Sequence, residues 1–226
     1  MSKRDRPSIE RTDETAARRA IIETALAMSH SGLSPGRSGN VSCRWQDGML
    51  ITPSGMSYDE ITPAGIVFVD AEGHVNANSR KPSSEWHFHL AAYAARPDRH
   101  AVVHTHSLHA TVLACAHKSI PAFHYMVAVA GGADIPLVPY ATFGTPELAH
   151  HVAAGLKDRD ACLMANHGQI AIGPNLDAAL ELAHEVEILA GQYAKVLALG
   201  TAHIIPEDQM KIVLAKFKAY GQGAQD

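Results

Sequence analysis

Two histidines stand two residues apart in VVHTHS, at positions 104 and 106, directly after a valine pair that reads as a strand. In an extended chain alternate side chains share a face, so His104 and His106 project side by side. Two imidazoles held that way can chelate one divalent cation, and they can equally be polar residues at a strand end. A catalytic zinc site takes three protein ligands and keeps one position open. His167, in Asn166-His167-Gly168 between two apolar runs, is the best third candidate, although a histidine there is often only a turn residue. The same spacing test sets His87 and His89 aside. They fall in a helical stretch, where residues two apart face different ways. With 15 histidines in 226 residues, only position and company raise one above the rest.

Glu85 is the best-placed carboxylate, in PSSEW just upstream of the histidine strand. An acid in a first helical turn suits the helix dipole and needs no further role. The same helix start also offers Ser83, Ser84 and free backbone N–H groups, which together form an anion site. The turns Ser38 to Asn40 and Pro53 to Gly55 are Gly/Ser-rich and can add donors to the same anion.

These residues need elements to hold them. A helix is predicted over TDETAARRAIIETALAMSHSG, capped by Thr12 or Asp13, with Ala17, Ile21, Ile22, Ala25 and Met28 at helical spacing. GMLITP reads as a strand, and IVFVDAEGHV as two strands about a Glu-Gly turn. PSSEWHFHLAAYAAR is predicted as a helix capped by Ser83 or Ser84 and ended by Pro97. A short helix over SLHATVLACAHK follows the histidine strand. PAFHYMVAVAGG and DIPLVPYA are apolar and ambiguous between strand and helix. Thr145 and Pro146 open another helix as N-cap and first residue. ACLMANHGQIAIG reads as two strands meeting at Asn166-His167-Gly168. A long helix ending at Gly200 and a last one over PEDQMKIVLAKFKAYG close the chain. Strands interleaved with helices indicate an α/β fold with a sheet covered on both faces.

Composition narrows the function. The net charge is −4, with no broad basic field for nucleic acid or an anionic membrane. Apolar stretches fall short of the roughly 20 residues that span a bilayer, and the N-terminus is charged rather than apolar. Cys43, Cys115 and Cys162 lie far apart, an odd count that fits buried thiols in a reducing, cytoplasmic setting.

In chain order, SGNVS, LITPSGMSYDEIT, KPSSEWHFHLAAY, VVHTHSLHAT, IPAFHYMVAVAGG, PYATFGT, NHGQIAIG, LAHEVEILAGQY and KFKAYG resemble the class II aldolase/adducin family. The likeness is greatest to its branch that cleaves L-fuculose 1-phosphate, and it runs over essentially the whole chain. The resemblance implies one domain spanning 1–226, a three-layer α/β/α fold around a central mixed sheet, and a homotetramer with sites between neighbouring subunits. It implies one Zn2+ per subunit on His104, His106 and His167, with Glu85 as catalytic acid/base and fourth ligand of the resting site. Gly39 and Asn40, Ser54 and Gly55, and Ser83 and Ser84 match pairs that bind substrate and phosphate. Tyr125, Phe143 and Tyr220 match residues on the aldehyde side, Tyr220 coming from an adjoining subunit or a mobile tail.

The implied reaction is zinc-dependent retro-aldol cleavage of a ketose 1-phosphate to dihydroxyacetone phosphate and an aldehyde. Relatives that epimerise L-ribulose 5-phosphate carry Asp where Glu85 stands. Aldolases for 5-deoxyribulose 1-phosphate or 5-methylthioribulose 1-phosphate use the same set and form the main alternative, with related decarboxylases and a dehydratase behind them. Adducin-type heads use the fold as a metal-free scaffold, and the full ligand set here speaks against that role. One position departs from the pattern. Arg37 stands where a small hydroxyl residue is usual, either as a bidentate phosphate partner or as a solvated loop residue.

Overall fold

The computed structural model describes residues 8–220, with side chains from 14 to 217. Helix α1 (Ser8–His30) leads into hairpin strands β1 (Asn40–Trp45) and β2 (Gly48–Ile51), then β3 (Val67–Val69). Helix α2 (Trp86–Ala95), strand β4 (Ala101–Thr105) and helix α3 (Leu108–Cys115) follow. Short strands β5 (Ile120–Pro121), β6 (Asp134–Ile135) and β7 (Leu137–Val138) precede α4 (Pro146–Leu156). Strands β8 (Ala161–Met164) and β9 (Gly168–Gly173) lead to α5 (Leu176–Leu199) and α6 (Glu207–Tyr220).

Seven strands form one sheet in the order β3-β2-β1-β4-β9-β8-β7, antiparallel throughout except for the parallel β7–β8 pair. The sheet is therefore mixed, as expected, and β4 with His104 runs through its centre. Side-chain alternation divides the core into two. Leu50, Val103, Leu163 and Ala171 pack under α1, α3 and α5. Met49, Ile51, Val102, Cys162, Ile170 and Ile172 pack under α2 and α4. Both faces are thus covered, and the three-layer expectation holds. A fully buried aliphatic side chain contributes about 1.5–3 kcal/mol, so two such layers hold β4 rigidly.

Several elements differ from the sequence reading. Helix α1 starts at Ser8 rather than at a cap on Thr12 or Asp13. Nothing between Pro7 and those residues breaks a helix, while Ile21, Ala25 and Met28 are buried as predicted. The second strand of IVFVDAEGHV reduces to a single Val69–Val75 bridge. The Asp70 carboxylate accepts the N–H groups of Glu72 and His74 at 3.0 and 2.7 Å, giving the backbone a turn in place of a ladder.

The ambiguous segments 121–132 and 134–141, with Ile120 before them, hold three two-residue strands and a 3-10 turn over Tyr125–Ala130. Thr145 caps α4 as expected, its hydroxyl accepting from Leu148 N–H at 3.3 Å. Among the described residues no helix is long and apolar enough to cross a membrane. Cys162 is buried and Cys43 half-buried, but Cys115 is exposed at the end of α3, contrary to the expectation of buried thiols.

Candidate metal centre and phosphate cleft

The C-terminal end of β4, the β8–β9 turn and the start of α2 meet at one point. His104 is the penultimate residue of the fully buried β4, and His106 lies just past the strand. The β8–β9 turn brings up His167 through Asn166, whose φ of 56° is left-handed, a conformation asparagine tolerates better than most residues. Gly168 packs directly on the Thr105 carbonyl and the His106 ring, where a Cβ would collide. The three rings lie with centroids 4.8–4.9 Å apart and steeply inclined planes.

Glu85 reaches the same point from α2. The expected serine cap is absent: Glu85 itself occupies the N-cap position, and no side chain caps the helix. Its carboxylate turns instead to the histidines, with Oε1 3.0 Å from His167 Nε2 and Oε2 3.2 Å from His104 Nε2. Asn40 Nδ2 donates to Oε2 at 2.8 Å. Ser83, predicted as a cap, is buried and its hydroxyl only accepts the Glu85 N–H at 3.4 Å.

The protonation pattern tests whether this set fits a cation. His104 Nδ1–H donates to the Gln169 carbonyl at 2.7 Å, so in the neutral ring that a metal ligand must be, Nε2 carries the lone pair. That lone pair faces Glu85 Oε2 and lies 3.0 Å from His106 Nε2. A neutral His106 can bridge only one of these contacts, whereas a divalent cation satisfies all four donors together. The donor atoms of Glu85, His104, His106 and His167 lie within 4.8 Å of one another. Three imidazole nitrogens and a carboxylate oxygen suit a borderline divalent ion. The His104–Gln169 bond is the outer support such a ligand needs.

Electrostatics agree. Burial opposes ionisation of Glu85, but attraction and hydrogen bonds from His104 and His167 outweigh it and hold the carboxyl well below its usual range. Burial, reinforced by His104 and His167, pushes His106 down to about 3. A cation that took the place of those imidazole protons would keep the carboxylate ionised and leave the three rings neutral, as ligands must be.

A cleft of about 340 Å³ opens beside this cluster. Arg37, Gly39, Asn40, Ser54, Gly55, Ser83, Ser84 and Phe143 line it, together with Glu85, His106 and His167. The two Gly/Ser turns and the helix start singled out from sequence are therefore brought together. Among the described residues Arg37 is the only lysine or arginine lining the cleft, and its Nη1 donates to the Gly55 carbonyl at 3.0 Å, tying two of the turns. Phe143 is 63 % exposed at the rim.

Tyr140 and Asn166 also line the cleft. Neither has a distinctive spacing of its own; Tyr140 lies in the PYATFGT segment beside Phe143, and Asn166 precedes His167. Tyr125 does not line it. It sits half-exposed on the 3-10 turn, with its ring near His124 and Phe217. The side chain of Tyr220, the last residue of α6, lies outside the described residues. His89 lies outside the cluster of four donors and is fully buried behind it, with Nε2 2.5 Å from Asn40 Oδ1.

Comparison with known proteins agrees with this geometry. The family model described as class II aldolase and adducin N-terminal domain matches residues 19–194. The L-fuculose phosphate aldolase of Escherichia coli is 52 % identical over 204 residues, 90 % of this chain and 94 % of that protein. The 5-methylthioribulose-1-phosphate/5-deoxyribulose-1-phosphate aldolase of Rhodospirillum rubrum is also 52 % identical, over 93 % of this chain and 95 % of that protein. A solved structure of an L-fuculose 1-phosphate aldolase superposes with a TM-score of 0.86 at 39 % identity, covering 90 % of this chain and 96 % of that one.

Proposed function

The chain belongs to the class II aldolase and adducin family, and from that premise we propose that it is a metal-dependent aldolase, a lyase that cleaves a ketose 1-phosphate of the L-fuculose 1-phosphate type to dihydroxyacetone phosphate and an aldehyde. One observation carries the reading: three imidazoles and a carboxylate converge at the inner end of a cleft lined by serines, glycines and one arginine. A zinc ion on His104, His106 and His167, with Glu85 as fourth ligand at rest, is the cofactor this reading assigns, one per subunit. When bound it supplies Lewis-acid stabilisation of the negative charge that develops beside the carbonyl.

The chain's own residues do the rest. The phosphate lies against Ser54, Gly55, Ser83 and Ser84, with Gly39 and Asn40 closing the inner side and Arg37 adding the positive charge a dianion requires. That remote binding fixes where the reacting carbons fall. In cleavage the hydroxyl on the fourth carbon loses its proton, the bond between the third and fourth carbons breaks, and its electron pair moves toward the carbonyl. An enediolate and an aldehyde result. Glu85 is the base for the reverse step, taking the proton from the carbon beside the carbonyl of dihydroxyacetone phosphate, and it returns that proton in cleavage. Its depressed pKa suits the base form. Phe143 excludes water on the aldehyde side.

Tyr125 and Tyr220 exchange the proton of the aldehyde oxygen in this scheme. The exposure of Tyr125 away from its own cleft supports a site completed by a neighbouring subunit, and hence a homotetramer. The reading takes 1–226 as a single domain. Three free cysteines support a cytoplasmic setting.

The equal identity of the Rhodospirillum rubrum relative favours one second reading, in which 5-deoxy or 5-methylthio pentulose 1-phosphates are the substrates. A panel separates them. Zinc-loaded protein is incubated with L-fuculose, L-rhamnulose, 5-deoxyribulose and 5-methylthioribulose 1-phosphates, and dihydroxyacetone phosphate release is timed. The proposal predicts fastest release from L-fuculose 1-phosphate; fastest release from a pentulose phosphate selects the second reading; no release from any ketose 1-phosphate overturns both.

A further inference from the structure

Behind Glu85 lies a buried polar ladder that the ligand set does not use. Glu85, His89 and Tyr93 are spaced by four on one stripe of α2 and its N-cap. They face Asn40, Ser42 and Arg44, spaced by two on β1. Four helical residues rise about 6 Å and two strand residues about 6.7 Å, so the two rows keep step. Each rung is a contact: Asn40 Nδ2 to Glu85 Oε2 at 2.8 Å, His89 Nε2 to Asn40 Oδ1 at 2.5 Å, Ser42 Oγ to His89 Nδ1 at 2.7 Å, and Ser42 Oγ to Tyr93 Oη at 2.8 Å. Arg44 closes the row, its guanidinium 4.8 Å from the centre of the Tyr93 ring. Asn40, Ser42, His89 and Tyr93 are all buried.

Donor and acceptor chemistry gives the ladder one direction. An ionised carboxylate only accepts, so Asn40 must present its NH2 to Glu85 and its carbonyl oxygen to His89. That oxygen needs a donor, which puts the imidazole proton on Nε2 and leaves Nδ1 as an acceptor. Ser42 has a single hydroxyl proton and spends it on Nδ1, so Tyr93 donates to Ser42. Every proton in the row points toward Glu85, and bonds polarised in one sense reinforce each other. Burial, with His104 adding repulsion, pushes His89 down to about 3, which agrees with a neutral ring.

We propose that His89 is a positioning residue for the reaction: its fixed Nε2–H locks the Asn40 amide with the NH2 toward Glu85, holding that carboxylate in the line along which it moves a proton, while Ser42 and Tyr93 fix the tautomer. This rests on the aldolase reading for what the carboxylate does, and on the ladder alone for how it is held. His89 touches neither substrate nor the ligand cluster. Without it the Asn40 amide is free to turn its oxygen on Glu85.

The test is a double-mutant cycle on zinc-loaded full-length protein, with the best ketose 1-phosphate of the panel as substrate. His89→Leu should lower kcat on the order of 10–100-fold, the range for outer supports of a site, with KM within about threefold and zinc content unchanged. His89→Gln, whose amide N–H can meet Asn40 Oδ1, should recover most of that loss. In an Asn40→Ala background His89→Leu should cost less than about twofold more, because a residue that acts through another loses its effect when that other is gone.

A second readout needs no turnover. The imidazole 15N shifts of His89 at neutral pH, assigned by their loss in the His89→Gln variant, should show the proton on Nε2 alone. An undiminished kcat in His89→Leu, effects that add in the double variant, or a proton on Nδ1 each overturn the proposal. Should His89→Leu not fold, His89→Gln alone and in the Asn40→Ala background, together with the shifts, decides it. Wild-type protein that cleaves no ketose 1-phosphate sinks the aldolase reading instead, and the tautomer still reports on the ladder.

Discussion

Asn40 and His104 sit directly opposite each other in the antiparallel β1–β4 pair. Asn40 donates to the same Glu85 oxygen that His104 Nε2 approaches. A single backbone register therefore sets both neighbours of the carboxylate. A slip of one residue would turn Asn40 and Val41 inside out and separate them, so the sheet acts as the jig on which the site is assembled.

Glu85→Gln keeps the shape and the hydrogen-bond reach of the side chain but removes the base. Turnover should fall on the order of 10²–10⁴-fold, the usual worth of a positioned proton-transfer group. Zinc content, measured by elemental analysis, and the circular dichroism spectrum should stay as in wild type. Retained turnover would remove Glu85 from the mechanism.

Among the described residues Arg37 is the one arginine or lysine lining the cleft, and it is anchored by the Gly55 carbonyl. Arg37→Ala should raise KM for the ketose phosphate about tenfold while leaving kcat within a few-fold, since it loosens ground state and transition state alike. Inhibition by inorganic phosphate should weaken in parallel. An unchanged KM would assign Arg37 to the solvent.

Metal removal should act on stability as well as on activity. The four donors are scattered over the chain from 85 to 167, so they form a site only when folded, and zinc held there would bind the native state alone. At a hundredfold excess over Kd that adds about 2.7 kcal/mol, or roughly 5–10 °C in melting temperature for a chain of this size. Chelation followed by calorimetry, with and without added zinc, checks it; a melting temperature blind to zinc would contradict it.

The thiols give a pH dependence with a definite sign. Burial pushes Cys43 up to about 11 and Cys162 up to about 12. The folded state thus binds these protons more tightly than the unfolded chain, whose thiols titrate near 9. Their contribution is complete below pH 9 and is lost as pH rises through 11 and 12. Cys162→Ala should show a shallower decline in urea stability over that window than wild type. At pH 8 a thiol reagent should label exposed Cys115 quickly and the other two only after unfolding.

Much of this site is legible in the sequence because it rests on local rules. Alternation along VVHTHS predicts that His104 and His106 share a face, and Thr145-Pro146 marks its helix start through its own side chains. Asn166-His167-Gly168 announces a turn because only a small residue fits where Gly168 meets Thr105 and His106. What the sequence hides is set by partners distant in the chain. Ser83 looks like a cap, yet Glu85 takes the cap position because two histidines about 20 and 80 residues away claim its carboxylate. His89 looks dispensable in HFH, since its role appears only when α2 lies on β1 and the period of four meets the period of two. Tyr125 shows the limit in the other direction: its motif is clear, but one chain does not bring it to the cleft.

Diffraction from crystals grown with zinc, recorded at the zinc absorption edge, tests the central claim most directly. The account predicts one anomalous peak per chain at about 2.0–2.1 Å from the Nε2 atoms of His104, His106 and His167, vanishing in His167→Ala. A peak elsewhere, or none at those rings under saturating zinc, would contradict it.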